Sequence, residues 1–488
     1  MKKSIKLNAI FSLIQSISTI IFPLITFPYI SRIFGVDQLG KYNYAKNFVE
    51  IFATFAMLGI PTYAQREGAR FRNNKEKLNK LMSELFSFSM LSNCITLVIL
   101  YIITFSVDTF SKYSLLILIF SVTIPMTSIG MNWIFVIFED YDFTTFIGIL
   151  FNIISIISMF IFVKNKQDMY LYALITVIAS CGANIIKFFY LKKYCKVSLT
   201  LHIDLKKHIK PIVLMFSAYI SITIYNRTDT ALLGVMASDY NVGIYSVSTK
   251  IYNLVKSCLL ALSTVIQTRA VILADSGNKS NSDKFLSKCF NMMMTFVIPC
   301  MVGMAFMNKD IILFISGVDY LKAGMSMIIL SVSLFFALFS TMQSSCILIP
   351  YGKEKTTLYG AVAGAIVNLI LNMGFIPLWK ENGAALTTLI AEITVFSIYY
   401  AEAKKYFTHL NRWKTIIQCG VGSIGIIMVL YLLRNLEINI IPRIIIKIGC
   451  SAIIYFLIQI LVGNDAITEI YDNILVRLKE IKCGKRKS

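Results

Sequence analysis

Arg227 and Asp229 stand two residues apart in the polar run Asn226-Arg227-Thr228-Asp229-Thr230, inside a stretch (211–236) otherwise apolar enough to cross a membrane. Charge in hydrocarbon is costly, so an ionisable group there faces a water-filled cavity or a partner of opposite sign. Five other basic residues sit in such stretches (Lys46, Lys187, Lys250, Lys256 and Lys447), with three acidic ones, Glu50, Asp229 and Glu392. Lys46 and Glu50 are four apart and share a helix face, so mutual neutralisation is one reading and a ligand-facing Lys46 the other. Arg227 and Asp229 do not face each other on a regular helix, so one of them points at another partner. Cancelling every possible acid–base pair still leaves a basic excess. That balance suits an anionic substrate such as a phosphate or pyrophosphate, which Arg grips through its two-pronged fork. Glu50, Asp229 and Glu392 are the candidates to titrate if transport draws on a proton or sodium gradient; no other cofactor is expected. Lys187 and Lys447 lie near span ends and are expected to snorkel. Asn132-Trp133, Tyr219, Tyr225, Asn226 and Gln343 offer the stacking faces and amides that sugars use, although helix packing uses the same groups.

These residues need membrane helices to hold them. Of 488 residues, 57% are apolar and only 15% charged, with a mean hydropathy of +0.70. Backbone amides cannot go unpaired in lipid, so each span must be a helix. Apolar stretches of the roughly 20 residues needed to cross a bilayer lie at 9–31, 42–61, 84–106, 114–138, 144–163, 170–191, 211–236, 243–268, 286–307, 325–349, 356–378, 383–401, 414–433 and 442–462. Met1-Lys2-Lys3 precedes the first, but no small-residue cleavage site follows, so that run reads as a span rather than a leader. The expected class is therefore an all-α membrane protein of about 14 helices, with no room for a globular domain.

The net charge of +21 would point to nucleic acid in a soluble chain. Here Lys and Arg occupy short loops and set topology, and no nucleic-acid partner is expected. With the N-terminus inside, cytoplasmic segments hold 31 of the 47 basic residues, external loops 10 (Arg32 among them) and spans six. That bias puts both termini in the cytoplasm. The ten Cys show no CxxC or metal spacing, and the three His are dispersed.

The chain also repeats itself. TTFIG (144–148) matches TTLYG (356–360), and ALITVIA (173–179) matches ALTTLIA (385–391), both at an offset of 212; Leu39-Gly40-Lys41-Tyr42 echoes Val242-Gly243-Ile244-Tyr245 at 203. Spans 1–6 thus pair with 7–12 in the same orientation, a parallel repeat of the kind that rocks one bundle against another around a shared site. The expected divisions are an N-lobe (1–191), a basic linker (192–210), a C-lobe (211–401), an appended helix pair (402–462) and a basic cytoplasmic tail (463–488). No HExxH, metal-spaced Asp pair or GxSxG is present, so a transporter rather than an enzyme is expected.

The run Phe22-Pro23-Leu24-Ile25-Thr26-Phe27-Pro28-Tyr29-Ile30-Ser31-Arg32-Ile33-Phe34-Gly35, then Gly40-Lys41-Tyr42, resembles the first two spans of bacterial Wzx-type polysaccharide repeat-unit flippases. The resemblance continues at Leu58-Gly59-Ile60-Pro61-Thr62-Tyr63 with Arg66-Glu67, at Asn132-Trp133 with Glu139, and at Asn226-Arg227-Thr228-Asp229 and Gly243-Ile244-Tyr245. It implies membership of the multidrug/oligosaccharidyl-lipid/polysaccharide (MOP) exporter superfamily. It further implies an undecaprenyl-pyrophosphate-linked glycan as substrate, turned from the inner to the outer leaflet of the bacterial plasma membrane for capsule, O-antigen or exopolysaccharide synthesis. A polysaccharide polymerase and a chain-length regulator, besides membrane lipid, are the partners it brings. In the related lipid II flippases, cavity arginines and a groove bounded by the last two helices handle the pyrophosphate and the lipid tail. This chain has Lys at 46, 250 and 256, which offers single-charge attraction and not the fork. The substrate-binding set is then Arg32, Lys46, Asn132, Trp133, Asn226, Arg227, Lys250 and Lys256. A lipid II flippase or a MATE-like ion-coupled antiporter is the alternative; the antiporter would lack spans 13 and 14 and favour an acidic cavity.

Overall fold

The computed structural model describes residues 5–200, 204–275, 279–406 and 412–468. These are helical with irregular connections, and no strand occurs among them. The helices are α1 (Ile5–Met57), α2 (Ile60–Arg70), α3 (Lys75–Ser106), α4 (Asp108–Ser111), α5 (Ser114–Ser121), α6 (Thr123–Ile129), α7 (Asn132–Ile137), α8 (Tyr141–Phe162), α9 (Met169–Tyr190), α10 (Leu205–Met236) and α11 (Asp239–Asp275). They continue with α12 (Lys279–Phe306), α13 (Asn308–Ile315), α14 (Ala323–Gln343), α15 (Glu354–Ala403), α16 (Arg412–Leu432) and α17 (Ile440–Leu461). The chain divides into two compact units, Met1–Ser246 and Val247–Ser488. Most of the basic tail expected at 463–488 lies outside the described residues, as do positions 201–203 of the linker.

Among the described residues ten helices are long and apolar enough to cross a membrane, and this is a multi-pass membrane protein. The sequence reading expected about fourteen spans. The difference lies partly in how spans join. Spans 1 and 2 were expected to be separated by a loop at 32–41, but α1 runs through it and bends only at Gly35 (φ 69°, ψ −178°). Spans 11 and 12 are joined in the same way inside α15, at Lys380 (φ 50°, ψ −125°). Each such helix therefore holds two expected spans. Expected spans 7 and 8 lie on α10 and α11. Span 4 is broken into α5, α6 and α7, with Met131 in the left-handed region at the last break.

The first unit has a dense apolar core where α2, α3 and α7 meet. Ile60, Tyr63, Leu78, Met82, Leu85, Trp133 and Phe135 are buried together, with Ile212 from the start of α10. The segment after α9 is strapped along α3. The backbone amides of Lys196, Ser198 and Thr200 donate to Asn79 Oδ1, Ser83 Oγ and Ser87 Oγ at 2.9, 3.1 and 2.8 Å. Every second linker residue thus meets every fourth helix residue, which places all three acceptors on one face of α3.

Two glycines allow a close crossing between α1 and α11. A Cβ at Gly40 would lie 1.8 Å from the carbonyl oxygen of Asp239, and one at Gly243 would lie 2.1 Å from that of Val36. Positions 36 and 40 shift onto 239 and 243 at the offset of 203 seen in the sequence. The contact is therefore reciprocal, as two copies of one motif make across a two-fold axis.

In the second unit the last two helices are built into the bundle. Gln418 on α16 donates to the Val462 carbonyl at 3.0 Å, and Gln459 on α17 returns a bond to the Gln418 carbonyl at 2.9 Å. Tyr455 on α17 donates to the Thr295 carbonyl of α12 at 2.8 Å, and Thr415 on α16 donates to Asn291 of α12 at 2.8 Å. Buried amides and hydroxyls in lipid-facing bundles need such partners, and here they tie the appended pair to α12.

Candidate functional site

In the first unit the bend at Gly35 sends the second half of α1 along α10. Asn47 and Glu50, three residues apart on one face of α1, both meet Arg227. The Asn47 amide donates to the Arg227 carbonyl at 2.8 Å, and the Arg227 guanidinium donates back to Asn47 Oδ1 at 3.4 Å. The guanidinium also forms a close ion pair with Glu50. Its side chain stays 43% exposed, so one edge of the guanidinium is open while the other is held. Glu50 therefore pairs across helices with Arg227 and not with Lys46, its neighbour four residues away. Among the described residues Lys46 makes no ion pair; it lies by Tyr172 of α9. Asp229 is buried and accepts from the Tyr245 hydroxyl of α11 at 3.0 Å. Arg227 and Asp229 thus point to different helices, as their spacing requires.

In the second unit Lys256 and Tyr252, one turn apart on α11, face Glu392 on α15. The Lys256 ammonium is 3.3 Å from both Glu392 Oε1 and the Tyr252 hydroxyl, and it sits 5.3 Å from the Tyr252 ring centroid. Glu392 is nearly fully buried. Removing one member of such a pair leaves an uncompensated charge at a cost of about 3–5 kcal/mol, whereas removing both is close to neutral. Lys256→Met is accordingly expected to lower the unfolding midpoint of the purified protein, and Lys256→Met with Glu392→Gln to restore it. A double variant as unstable as the single one would show that the pair does not act as a unit.

Other predicted positions fall elsewhere. Arg32 is exposed, one turn before the bend at Gly35, and Lys250 is half-buried on α11. Asn226 is exposed on α10. Asn132 accepts from the Lys187 ammonium at 2.9 Å. Lys187 is buried by that contact and does not snorkel. Lys447 is likewise buried, 2.6 Å from Asp310 on α13, because a partner in the bundle competes with the route to water. Trp133 is 1% exposed inside the apolar core of the first unit, so it presents no ring face to a sugar. The side chain of Tyr219 lies outside the described residues.

Sequence reasoning missed Asn47, whose only signal is its place on the helix face of Glu50. It also missed a buried His208–Glu84–Tyr63 cluster, whose signal was a histidine and a carboxylate each beside the start of an expected span.

A family model for polysaccharide biosynthesis proteins matches residues 5–267. A protein of Escherichia coli (strain K12) provisionally named an O-antigen transporter is 24% identical over 404 residues, covering 81% of this chain and 96% of that one. A second, from Shigella dysenteriae and similarly named, is 22% identical over 386 residues, 77% of this chain and 94% of its own length. Among solved structures, the lipid II flippase MurJ in an inward closed conformation superposes with a TM-score of 0.75 at 19% identity, covering 94% of this chain and 99% of that chain. An inward-facing multidrug resistance MATE transporter of the MOP superfamily gives 0.60 at 14% identity, covering 80% and 94%. These two likenesses establish the fold. With more than half of its length matched by the family model, the chain belongs to the polysaccharide biosynthesis protein family.

Proposed function

We propose that this protein is a flippase that moves undecaprenyl-pyrophosphate-linked oligosaccharide repeat units from the inner to the outer leaflet of a bacterial plasma membrane, by alternating access and without enzymatic chemistry. The observation that carries the reading is Arg227: an arginine deep in a helix of a multi-pass membrane protein, held by Asn47 and Glu50 on one side and open on the other. A sugar–pyrophosphate head cannot enter hydrocarbon, whereas a prenyl chain can stay there. A transporter for such a molecule needs to shield only the head, and a guanidinium edge is the group that meets a phosphate best. Lys256, Lys250, Lys46 and Arg32 are the further cations proposed for the head, and Asn226 and Asn132 the polar contacts. Glu50, Asp229 and Glu392 are the proposed gradient-coupled groups. The E. coli and Shigella relatives, by their names, support an O-antigen type of cargo. The likeness to lipid II flippase MurJ also supports a lipid-linked head. It keeps a lipid II substrate as the second reading.

The deciding experiment is deletion of the gene in its own host. The expected result is loss of surface polymer with lipid-linked repeat units held on the cytoplasmic face. If those units do not accumulate there, the reading fails; accumulation of lipid II in their place selects the second reading. Orientation is tested separately with single cysteines. Positions in 192–200 are expected to react only after the membrane is permeabilised, and labelling from outside would invert the proposed topology.

A further inference from the structure

We infer that His208, Glu84 and Tyr63 form a buried proton-binding site that locks the start of α10 to α2 and α3. The three side chains come from three helices and are 1%, 5% and 3% exposed. His208 Nε2 lies 2.7 Å from Glu84 Oε2, and its Nδ1 lies 2.9 Å from the Tyr63 hydroxyl. The ring meets Tyr63 edge-on, with centroids 5.6 Å apart.

With a neutral ring, Tyr63 donates to Nδ1 and Nε2–H donates to Glu84. Every hydrogen bond is then made, but the cluster carries one uncompensated carboxylate in an apolar core. A buried charge without a counter-charge is among the most costly arrangements in a protein. Taking up one proton at Nδ1 removes that charge. The ring becomes an imidazolium paired with Glu84, and the Tyr63 oxygen turns from donor to acceptor. The other charged groups around the cluster are Arg66, Glu67 and Arg70 on α2, and the charged residues on either side of His208 in the chain are Asp204, Lys206, Lys207 and Lys210. Arg66 and Arg70 both pair with Glu67, which leaves Glu84 as the carboxylate that contacts the ring.

The site is closed, so a proton enters or leaves only when α10 parts from α2 and α3. Binding the proton and holding the helices together are then one equilibrium, in the manner of any ligand that favours one of two states. α10 is also the helix that carries Arg227 and Asp229. If the flippase reading above holds, on which this last step rests, the cluster supplies a further coupling proton for movement of that helix, beside the gradient-coupled groups Glu50, Asp229 and Glu392.

The chain has only three histidines, His202, His208 and His409. His202→Gln with His409→Gln therefore leaves His208 as the sole imidazole, which can be followed by nitrogen NMR of histidine-labelled full-length protein. With Glu84 in place the ring is expected to carry a proton on both nitrogens. Adding Glu84→Gln should leave a proton on one, and should speed amide hydrogen exchange at the start of α10 at least tenfold. A singly protonated ring with Glu84 present, or a ring state indifferent to Glu84→Gln, overturns the site. Polymer export that keeps its full pH dependence in Glu84→Gln overturns the coupling step. The NMR arm involves no substrate, so its failure is distinct from failure of the flippase reading.

Discussion

Arg227→Ala is expected to abolish polymer export while the protein still inserts into the membrane at its normal level. The guanidinium has two jobs in the structure. Toward α1 it neutralises Glu50 and meets Asn47; away from α1 its edge is open. Truncating one partner of a hydrogen-bonded charge pair at a binding site costs about 2–5 kcal/mol, or roughly 30- to several-thousand-fold in affinity. Arg227→Lys separates the two jobs. Lysine can still neutralise Glu50, so insertion and stability should be retained. It lacks the planar fork, so export should fall without vanishing. Quantified surface polymer per unit of inserted protein is the measurement. Normal export in Arg227→Ala would remove the residue from the site, and equal export in the Lys variant would show that only its charge matters.

The second large effect is on folding. Gly243→Ala places a methyl group 2.1 Å from the Val36 carbonyl oxygen, and Gly40→Ala places one 1.8 Å from that of Asp239. Both obstacles are backbone, so no side-chain rotation relieves them and the two helices must move apart. Overpacking usually costs about 1–3 kcal/mol, and each variant is expected at or above the top of that range, read as a lowered melting midpoint in detergent. Gly374→Ala is the control. It lies in α15 with nothing within 4 Å of an added Cβ, and removing a mid-helix glycine there should gain up to about 1 kcal/mol in helix propensity. If Gly243→Ala melts like the parent protein, the close crossing is not present in solution. The reciprocal geometry adds a further expectation, namely that Gly40→Ala and Gly243→Ala lower the midpoint by similar amounts.

The helical class and the internal repeat were legible because both rest on periodic or local signals. Hydropathy recurs every span, and the echo of Leu39-Gly40 in Val242-Gly243 returns in the structure as two glycines in mutual contact. That Arg227, Asp229, Lys256 and Glu392 stand within apolar stretches was read from the same local signal, although buried Glu84 was missed. The partners of such charges were not legible. Asn47 and Arg227 are 180 residues apart, and Lys447 and Asp310 are 137 apart. No local rule brings such positions together, so near neighbours and snorkelling filled the gap for Lys46 and Lys447. The helix joins were hidden for a different reason. A polar interval such as 32–41 reads as a loop, yet one glycine at positive φ turns the chain and leaves both flanks helical. At Lys380 even that cue is missing, because a lysine holds the strained angle. Trp133 shows the limit of residue type as a guide. The same ring that suits a sugar also suits a core, and only burial tells them apart.

The linker strapped on α3 works as a vernier. Two residues of extended chain advance about 6.6 Å, while four residues of helix advance about 6 Å. The two scales agree at Asn79, Ser83 and Ser87 and then drift by roughly half an ångström or more with each further step. Three bonds are close to the most that such a pairing sustains before donor and acceptor lose reach, so the strap has a built-in end. It also has a fixed phase. One residue inserted or deleted before Lys196 would bring Val197 and Leu199 into line with the three polar acceptors and turn Lys196, Ser198 and Thr200 away from them. The length of the connection between the two repeats is therefore counted in pairs of residues, and an odd change in it is a change of face.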